Sequence, residues 1–139
     1  MGNNPDKVTT LKIPYPPTIN HYYGQRVVTP KNGGRPYVGK YIGAAGKNYR
    51  DSLVTKMRLA KVEKVLGMIQ MWIGVHPPDH RGRDLDNILK CVWDALEEGG
   101  LYENDSQIST FRMDRLPIMP GGLVVIKVRP APLILQMEF

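Results

Sequence analysis

The residues able to do chemistry are concentrated in His80-Arg81-Gly82-Arg83-Asp84-Leu85-Asp86-Asn87, with Lys90 just after and Asn104-Asp105-Ser106-Gln107 further on. Asp84 and Asp86 stand two apart where an extended segment turns into a helix. In extended backbone, residues i and i+2 point to the same side; within a regular helix they diverge by about 200°. The junction can therefore aim both carboxylates into one pocket while Leu85 enters the core. Asp105 lies between a helix stop and a strand, and a helix returning beside its preceding strand brings that loop into the neighbourhood. Three crowded carboxylates raise one another's pKa or demand a cation. Hard oxygen ligands select Mg²⁺, or Mn²⁺ in its place, over zinc. A metal held by aspartates and by substrate phosphate activates water and stabilises the departing oxygen of a phosphodiester. Arg81 and Arg83 would hold the phosphates, and Lys90 would neutralise charge developing on the scissile one.

Each of these residues also has a plainer reading. Asp84 sits where an N-cap belongs. Asp86 falls in the first helical turn, where a negative charge suits the helix dipole. Lys90 is four residues after Asp86, the spacing of an ordinary helical ion pair. The basic run before the pair and the second acidic spot after the next turn favour an arranged site.

The elements that must position these groups can be read from the pattern. Val8 to Ile13 is a β-branched run ended by Pro14, the first strand. Arg26 to Thr29 and Tyr37 to Tyr41 flank Lys31-Asn32-Gly33-Gly34, where Asn-Gly favours positive φ, so a hairpin with a basic tip is expected. From Ala44 to about Lys64, Leu53, Val54, Met57 and Ala60 recur at helical spacing, with Lys47, Arg50, Lys56 and Lys61 on the outer side. Val65 to Val75 reads as a central strand, stopped by Pro77-Pro78. Leu85 to Glu98 is the clearest helix, with Leu85, Ile88, Leu89, Val92, Ala95 and Leu96 in one stripe. Gly99-Gly100 ends it, since a glycine there takes the left-handed cap. Ile108 to Met113 and Leu123 to Val128 are two further strands. The order β, hairpin, α, β, α, β, β makes the class α+β, or mixed α/β.

The chain has 139 residues, the size of one domain, with no internal repeat. A single cysteine, Cys91, excludes an internal disulfide framework and a multi-thiolate zinc site. It points to a reducing compartment, and Cys91 itself to a packing role. No apolar run reaches the roughly 18 residues of a membrane span, and the N-terminus lacks a signal-like stretch, so a cytoplasmic location without a membrane partner is expected. The net charge of +6 is unevenly placed. Residues 1–64 carry twelve Lys and Arg against three acids, a net +9, and residues 65–139 carry seven against ten, a net −3. That asymmetry suits a protein that grips a polyanion with one part and works on it with another. The tail, residues 130–139, is apolar for a free end and would pack on a partner subunit or on its own domain. Gly43-Ala44-Ala45-Gly46-Lys47-Asn48 lacks the glycine spacing and the Ser/Thr of a phosphate loop and reads as a helix start. His76 and His80 read as phosphate-contact or loop residues, and Trp93 and the tyrosines as packing or rim positions.

The chain resembles the RusA family of Holliday-junction resolvases in four ordered blocks. These are Pro16-Pro17-Thr18-Ile19-Asn20 and Tyr49-Arg50-Asp51, then Arg83-Asp84-Leu85-Asp86-Asn87-Ile88-Leu89-Lys90 with Asp94-Ala95-Leu96, and finally Asp105-Ser106-Gln107-Ile108. The resemblance implies a single RusA-like domain over residues 1–139, with a small mixed sheet, two main helices and an N-terminal hairpin. It implies a two-fold homodimer that resolves four-way DNA junctions by paired, Mg²⁺-dependent nicks, with no organic cofactor, in a bacterial cell or its phage. By motif position, Asp84, Asp86 and Asp105 would be the catalytic, metal-binding acids, and Lys90 the catalytic or phosphate-contacting lysine. Asn20, beside His21 and Tyr22, lies in the family's N-terminal motif. With Lys31, Arg35, Lys47, Arg50, Arg81 and Arg83 it completes the expected DNA-contacting set. Asn104 departs from the pattern, standing where many relatives carry a second acid; it can ligate a hard metal through its carbonyl but brings no charge. Two other readings stand beside this one: a non-catalytic protein that binds branched DNA, and a metal-dependent nuclease acting on flaps or RNA.

Overall fold

Alternating residues in short β-branched runs build the sheet that carries the molecule. The structure is a computed structural model and describes residues 4, 6–17 and 23–132. Its elements run β1 (Thr9–Ile13), β2 (Tyr23–Val28), β3 (Tyr37–Ile42), α1 (Ala44–Leu59) and β4 (Ile69–His76). A 3₁₀ turn (Leu85–Ile88) then leads into α2 (Leu89–Glu98), and a second 3₁₀ turn (Asp105–Gln107) into β5 (Ile108–Arg115) and β6 (Leu123–Pro130). Strands β1-β6-β4-β5 form a four-stranded sheet, while β2 and β3 pair separately. β4 is parallel to β5, and β6 is antiparallel to both β1 and β4. The expected α+β class, mixed sheet, two helices and hairpin are all present.

One face of the sheet is apolar. Ile69, Met71, Ile73 and Val75 of β4 are buried with Val124, Ile126 and Val128 of β6 and Ile13 of β1. Both helices lie on this face. α1 contributes Tyr49, Leu53 and Met57, and the α2 region Ile88, Val92, Ala95 and Leu96, all in one cluster. The helices approach closely where Met57 meets Gly99; a Cβ there would stand 2.2 Å from Met57 Sδ. Tyr49 closes the other end by donating its hydroxyl to the Pro14 carbonyl at 2.8 Å.

Three expected boundaries are corrected. α1 ends at Leu59 rather than near Lys64. Val62 and Val65 fall off the Leu53–Met57 stripe and reach the core only if the helix stops. Lys61 at φ 52° makes the turn, with its N–H on the Arg58 carbonyl and the Val62 N–H on that of Met57, the paired bonds of a Schellman cap. β4 starts at Ile69 rather than Val65, because Gly67 at φ 75° redirects the chain between them. The expected continuous helix over 85–98 is a 3₁₀ turn followed by α2. Its C-terminus behaves as read. Gly100 takes φ 87°, and Leu101 and Gly100 donate to the carbonyls of Leu96 and Glu97. At the hairpin tip the residue in positive φ is Gly33, at 83°. Residues 133–139, most of the apolar tail, lie outside the described residues.

Candidate active site

β4 delivers the chain to His76, and Pro77-Pro78 turn it out of the sheet. His76 Nδ1 lies 2.7 Å from the Pro117 carbonyl. A carbonyl oxygen only accepts, so the proton is on Nδ1. The Met119 N–H on the Pro77 carbonyl (2.9 Å) and the Leu116 N–H on that of Val75 (2.8 Å) tie the same exit to the chain beyond β5.

The loop that follows is folded around Asp79. Its carboxylate takes a two-pronged contact from Arg83, Nη1 to Oδ1 at 2.5 Å and Nη2 to Oδ2 at 3.0 Å, and a third bond from the Arg81 N–H at 2.9 Å. The Arg83 guanidinium holds the Asp79 carboxyl well below the usual carboxylate range, and Asp79 raises Arg83 in turn. Arg115, from the end of β5, donates to the Arg83 carbonyl at 2.7 Å. Tyr15 belongs to this corner. Burial pushes its phenol up while Arg83 and Arg115 pull it down. Arg83 therefore ties the loop together, whereas Arg81 beside it is exposed.

Asp84 is the residue this loop presents. It occupies the N-cap position of the 3₁₀ turn with φ −79° and ψ 137°, yet its side chain makes no capping hydrogen bond. The cap reading of Asp84 is thus set aside. Asp84 and Asp86 are both exposed, and the hydrogen bonds and ion pairs among the described residues engage neither carboxylate.

Lys90 reaches forward along the helix. Its Nζ lies 2.9 Å from Asp94 Oδ1 and 3.8 Å from Asp105 Oδ2. Asp105 is one-third exposed and set in a turn made for it. Asn104 caps that turn, its Oδ1 accepting from the Ser106 N–H at 2.8 Å, while Gln107 Oε1 accepts from the Asn104 N–H at 3.1 Å. This is a capping box. The Gln107 amide also bonds the Val65 and Gly67 carbonyls, and the Asp105 N–H bonds Glu97 Oε1 at 2.8 Å. Asn104 spends its carbonyl oxygen on the backbone here, a use its place in the motif does not reveal.

The structure thus brings Asp105 to Lys90 and Asp94, and sets Asp86 about one helical turn before Lys90, with Asp84 at the N-cap position two residues earlier. Among the described residues, no three His, Cys, Asp or Glu side chains stand together as a ready metal cage. The donors nonetheless suit a hard divalent cation: carboxylate oxygens that are exposed, two of them unclaimed by a cap or a cation. Lys31, Arg35 and Lys47 are exposed, and Arg50 is half-buried with its Nε unpartnered among the described residues. Asn20, His21 and Tyr22 lie outside the described residues. Cys91 is buried, its thiol pushed up to about 12, in keeping with packing. Trp93 packs edge-on against Phe111 at 5.1 Å, and its carbonyl accepts the Tyr102 hydroxyl.

Sequence reasoning missed Asp79 and Arg115. The Asp79–Arg83 spacing of four was a legible signal. Arg115 had none, because it arrives from a distant strand.

Fold and site together define a small α+β protein that offers two uncommitted aspartates at a strand-to-helix junction, with a lysine and a third aspartate one turn further on. The chain belongs to the RusA endodeoxyribonuclease family, whose model, described as Endodeoxyribonuclease RusA, matches residues 14–129. It is 32% identical over 120 residues to proteins named Crossover junction endodeoxyribonuclease RusA from Shigella sonnei (strain Ss046) and from Escherichia coli (strain K12). Each of those matches covers 86% of this chain and 92% of the relative. The protein of that name from Enterobacteria phage 82 is 32% identical over 119 residues, covering 85% of this chain and 91% of its own. Among the described residues, no helix is long and apolar enough to cross a membrane.

Proposed function

We propose that the chain is an endodeoxyribonuclease that resolves four-way DNA junctions by paired phosphodiester hydrolysis, in the cytoplasm of a bacterial cell or of a phage-infected one. The observation that carries this reading is Asp84. It stands at a helix start, where an aspartate would ordinarily cap, and its carboxylate is left uncapped and exposed, with Asp86, two residues on, exposed as well. Asp84, Asp86 and Asp105 would hold Mg²⁺, which when bound supplies an activated water and neutralises charge on the phosphate.

The chain's own residues do the rest. Asp79, Arg83 and Arg115 lock the loop so that Asp84 is presented without rearrangement. The Asn104–Gln107 box holds Asp105 against Lys90. Lys90 keeps its ammonium between Asp94 and Asp105, positioned to meet a phosphate oxygen entering beside them. Arg81, Lys31, Arg35, Lys47 and Arg50 supply backbone contacts, with Asn20 from the N-terminal motif. The working unit is a homodimer acting as one domain per subunit, because a symmetric junction offers two scissile strands. The hairpin supports this, since Val27, Tyr37, Val38 and Tyr41 are solvent-exposed in the single chain.

The test is nicking of a labelled four-way junction with Mg²⁺, with EDTA, and with Asp86→Asn. Paired nicks in opposing strands, lost in both controls, are expected. Tight junction binding without nicks in either Mg²⁺ or Mn²⁺ would leave a binding protein instead, and faster cutting of flaps or RNA would change the substrate.

A further inference from the structure

We propose that the face of the four-stranded sheet opposite the helices is a second DNA-contacting surface, which takes the phosphate backbone of a junction arm. This rests on the junction-resolving reading above but uses none of its residues.

The pairing of the strands lines up Thr10, Lys127, Trp72 and Arg112 in one row across the sheet. Arg129, opposite Gln70, stands in the row on one side, and Lys12, opposite Val125, in the row on the other. Rows repeat every ~6.8 Å along a strand, and neighbouring strands lie about 4.8 Å apart. The cations therefore form a regular grid.

The one acid that the described strands place on this face, Asp114, is already engaged. It accepts from Trp72 Nε1 at 2.6 Å and from Arg112 Nε and Nη2 at 2.8 and 3.2 Å. Lys12, Lys127 and Arg129 have no carboxylate within ion-pair distance among the described residues.

The floor of the grid is built to hold those charges out. A Cβ at Gly74 would stand 2.5 Å from Trp72 Cη2, so the glycine is what lets the indole lie along the sheet. Lys127 Nζ stands over that ring, 5.5 Å from its centroid. Arg129 anchors its Nε on Gln70 Oε1 at 2.6 Å, leaving both Nη groups uncommitted among the described residues. A shallow depression of about 320 Å³ opens here, bordered by Val8, Trp72, Phe111, Arg112, Lys127 and Arg129.

Charge selects the occupant. A second copy stacked on this face would set the same cations against one another, whereas a polyanion neutralises them. A four-way junction also presents more backbone than its two scissile strands. β5 links the two regions, beginning directly after the Asp105 turn and carrying Arg112 on the open face.

The experiment is junction binding by the full chain across a salt series. It compares wild type with Lys12→Ser/Lys127→Ser/Arg129→Ser, and with Lys127→Gln and Arg129→Gln singly in case the triple variant melts early. The slope of log binding constant against log salt should shrink by about 0.9 for each phosphate contact removed, hence by roughly 2–3 in the triple variant. An unchanged slope overturns the proposal, as does a change in sedimentation with no change in slope, which would mark a contact between copies. Nicking by wild type is scored separately. A protein that binds without nicking, yet loses slope in the variants, defeats the resolvase reading and keeps this surface. One that nicks, with the slope intact in the variants, defeats the surface alone; failure of wild type to bind DNA defeats both.

Discussion

Two aspartates of one loop have opposite fates: Asp79 is spent on Arg83 and the Arg81 N–H, while Asp84 caps nothing. The first bond set makes the second possible, because the Arg83 backbone leads directly into Asp84. Asp79→Asn keeps the shape but loses the charged fork. It should slow junction nicking by about 10-fold, as the loss of a supporting partner commonly does, with the melting temperature almost unmoved. Single-turnover rates beside melting curves check this. The pH dependence follows in sign. Arg83 lowers the Asp79 carboxyl in the folded state, so what the fork contributes is present above the unfolded aspartate pKa of about 3.9 and is lost as pH falls through the lower folded value. Loop order monitored by Arg83 Nε–H NMR signals should therefore be flat from neutral to mildly acidic pH. Cys91 makes a separate prediction. Buried, with its thiol pushed up to about 12, it should resist a disulfide reagent at pH 8 until the chain is unfolded.

Both helices end on left-handed residues, one suited to the task and one not. Gly100 at φ 87° has no Cβ to clash, whereas Lys61 at φ 52° does. Gly100→Ala should cost about 1 kcal/mol, and Lys61→Gly should gain several tenths to about 1 kcal/mol. Opposite shifts of the urea midpoint would confirm the pair; a loss of stability in Lys61→Gly would show that side-chain contacts outweigh the backbone strain. The Asn104 cap belongs to this scale too. Asn104→Ala should cost about 1 kcal/mol and let Asp105 drift from Lys90, so nicking should fall while Asn104→Asp, which keeps the cap acceptor, retains it. The motif at this position reads as a lost acid; the three-dimensional structure shows a cap. An Asn-x-x-Gln spacing was legible as a capping box, but the choice between ligand and cap rests on where the oxygen points.

Across the molecule, the acids of the site are surface groups and the core is apolar throughout, with no buried polar or charged residue among those described. EDTA should therefore stop nicking and leave the melting temperature within about a degree or two, well under the shift of roughly 4 °C that 1 kcal/mol brings in a domain of this size. A large fall would mean that the metal holds the fold together. The hairpin tip gives a second check: Lys31→Ser/Arg35→Ser should reduce the salt slope of junction binding, and an unchanged slope would exclude both from phosphate contact.

Local chemistry explains why so much was readable from the chain. Pro77-Pro78 must end a strand, Gly100 must end a helix, and the period of Ile88, Val92, Ala95 and Leu96 must face a core, since each depends on neighbours a few residues away. The ordered Asp84, Asp86, Lys90 and Asp105 pattern carried the family in the same way. What the linear order left open depends on residues distant along the chain. Lys61 takes a strained turn because Val62 and Val65 gain more by burial. Arg83 is claimed by Asp79 and clamped by Arg115 from β5. Thr10, Lys127, Trp72 and Arg112 share a row, with Lys12 in the next, because β6 inserts between β1 and β4. Strand order and register are set by the packing of one whole face of the sheet, and no local propensity encodes them.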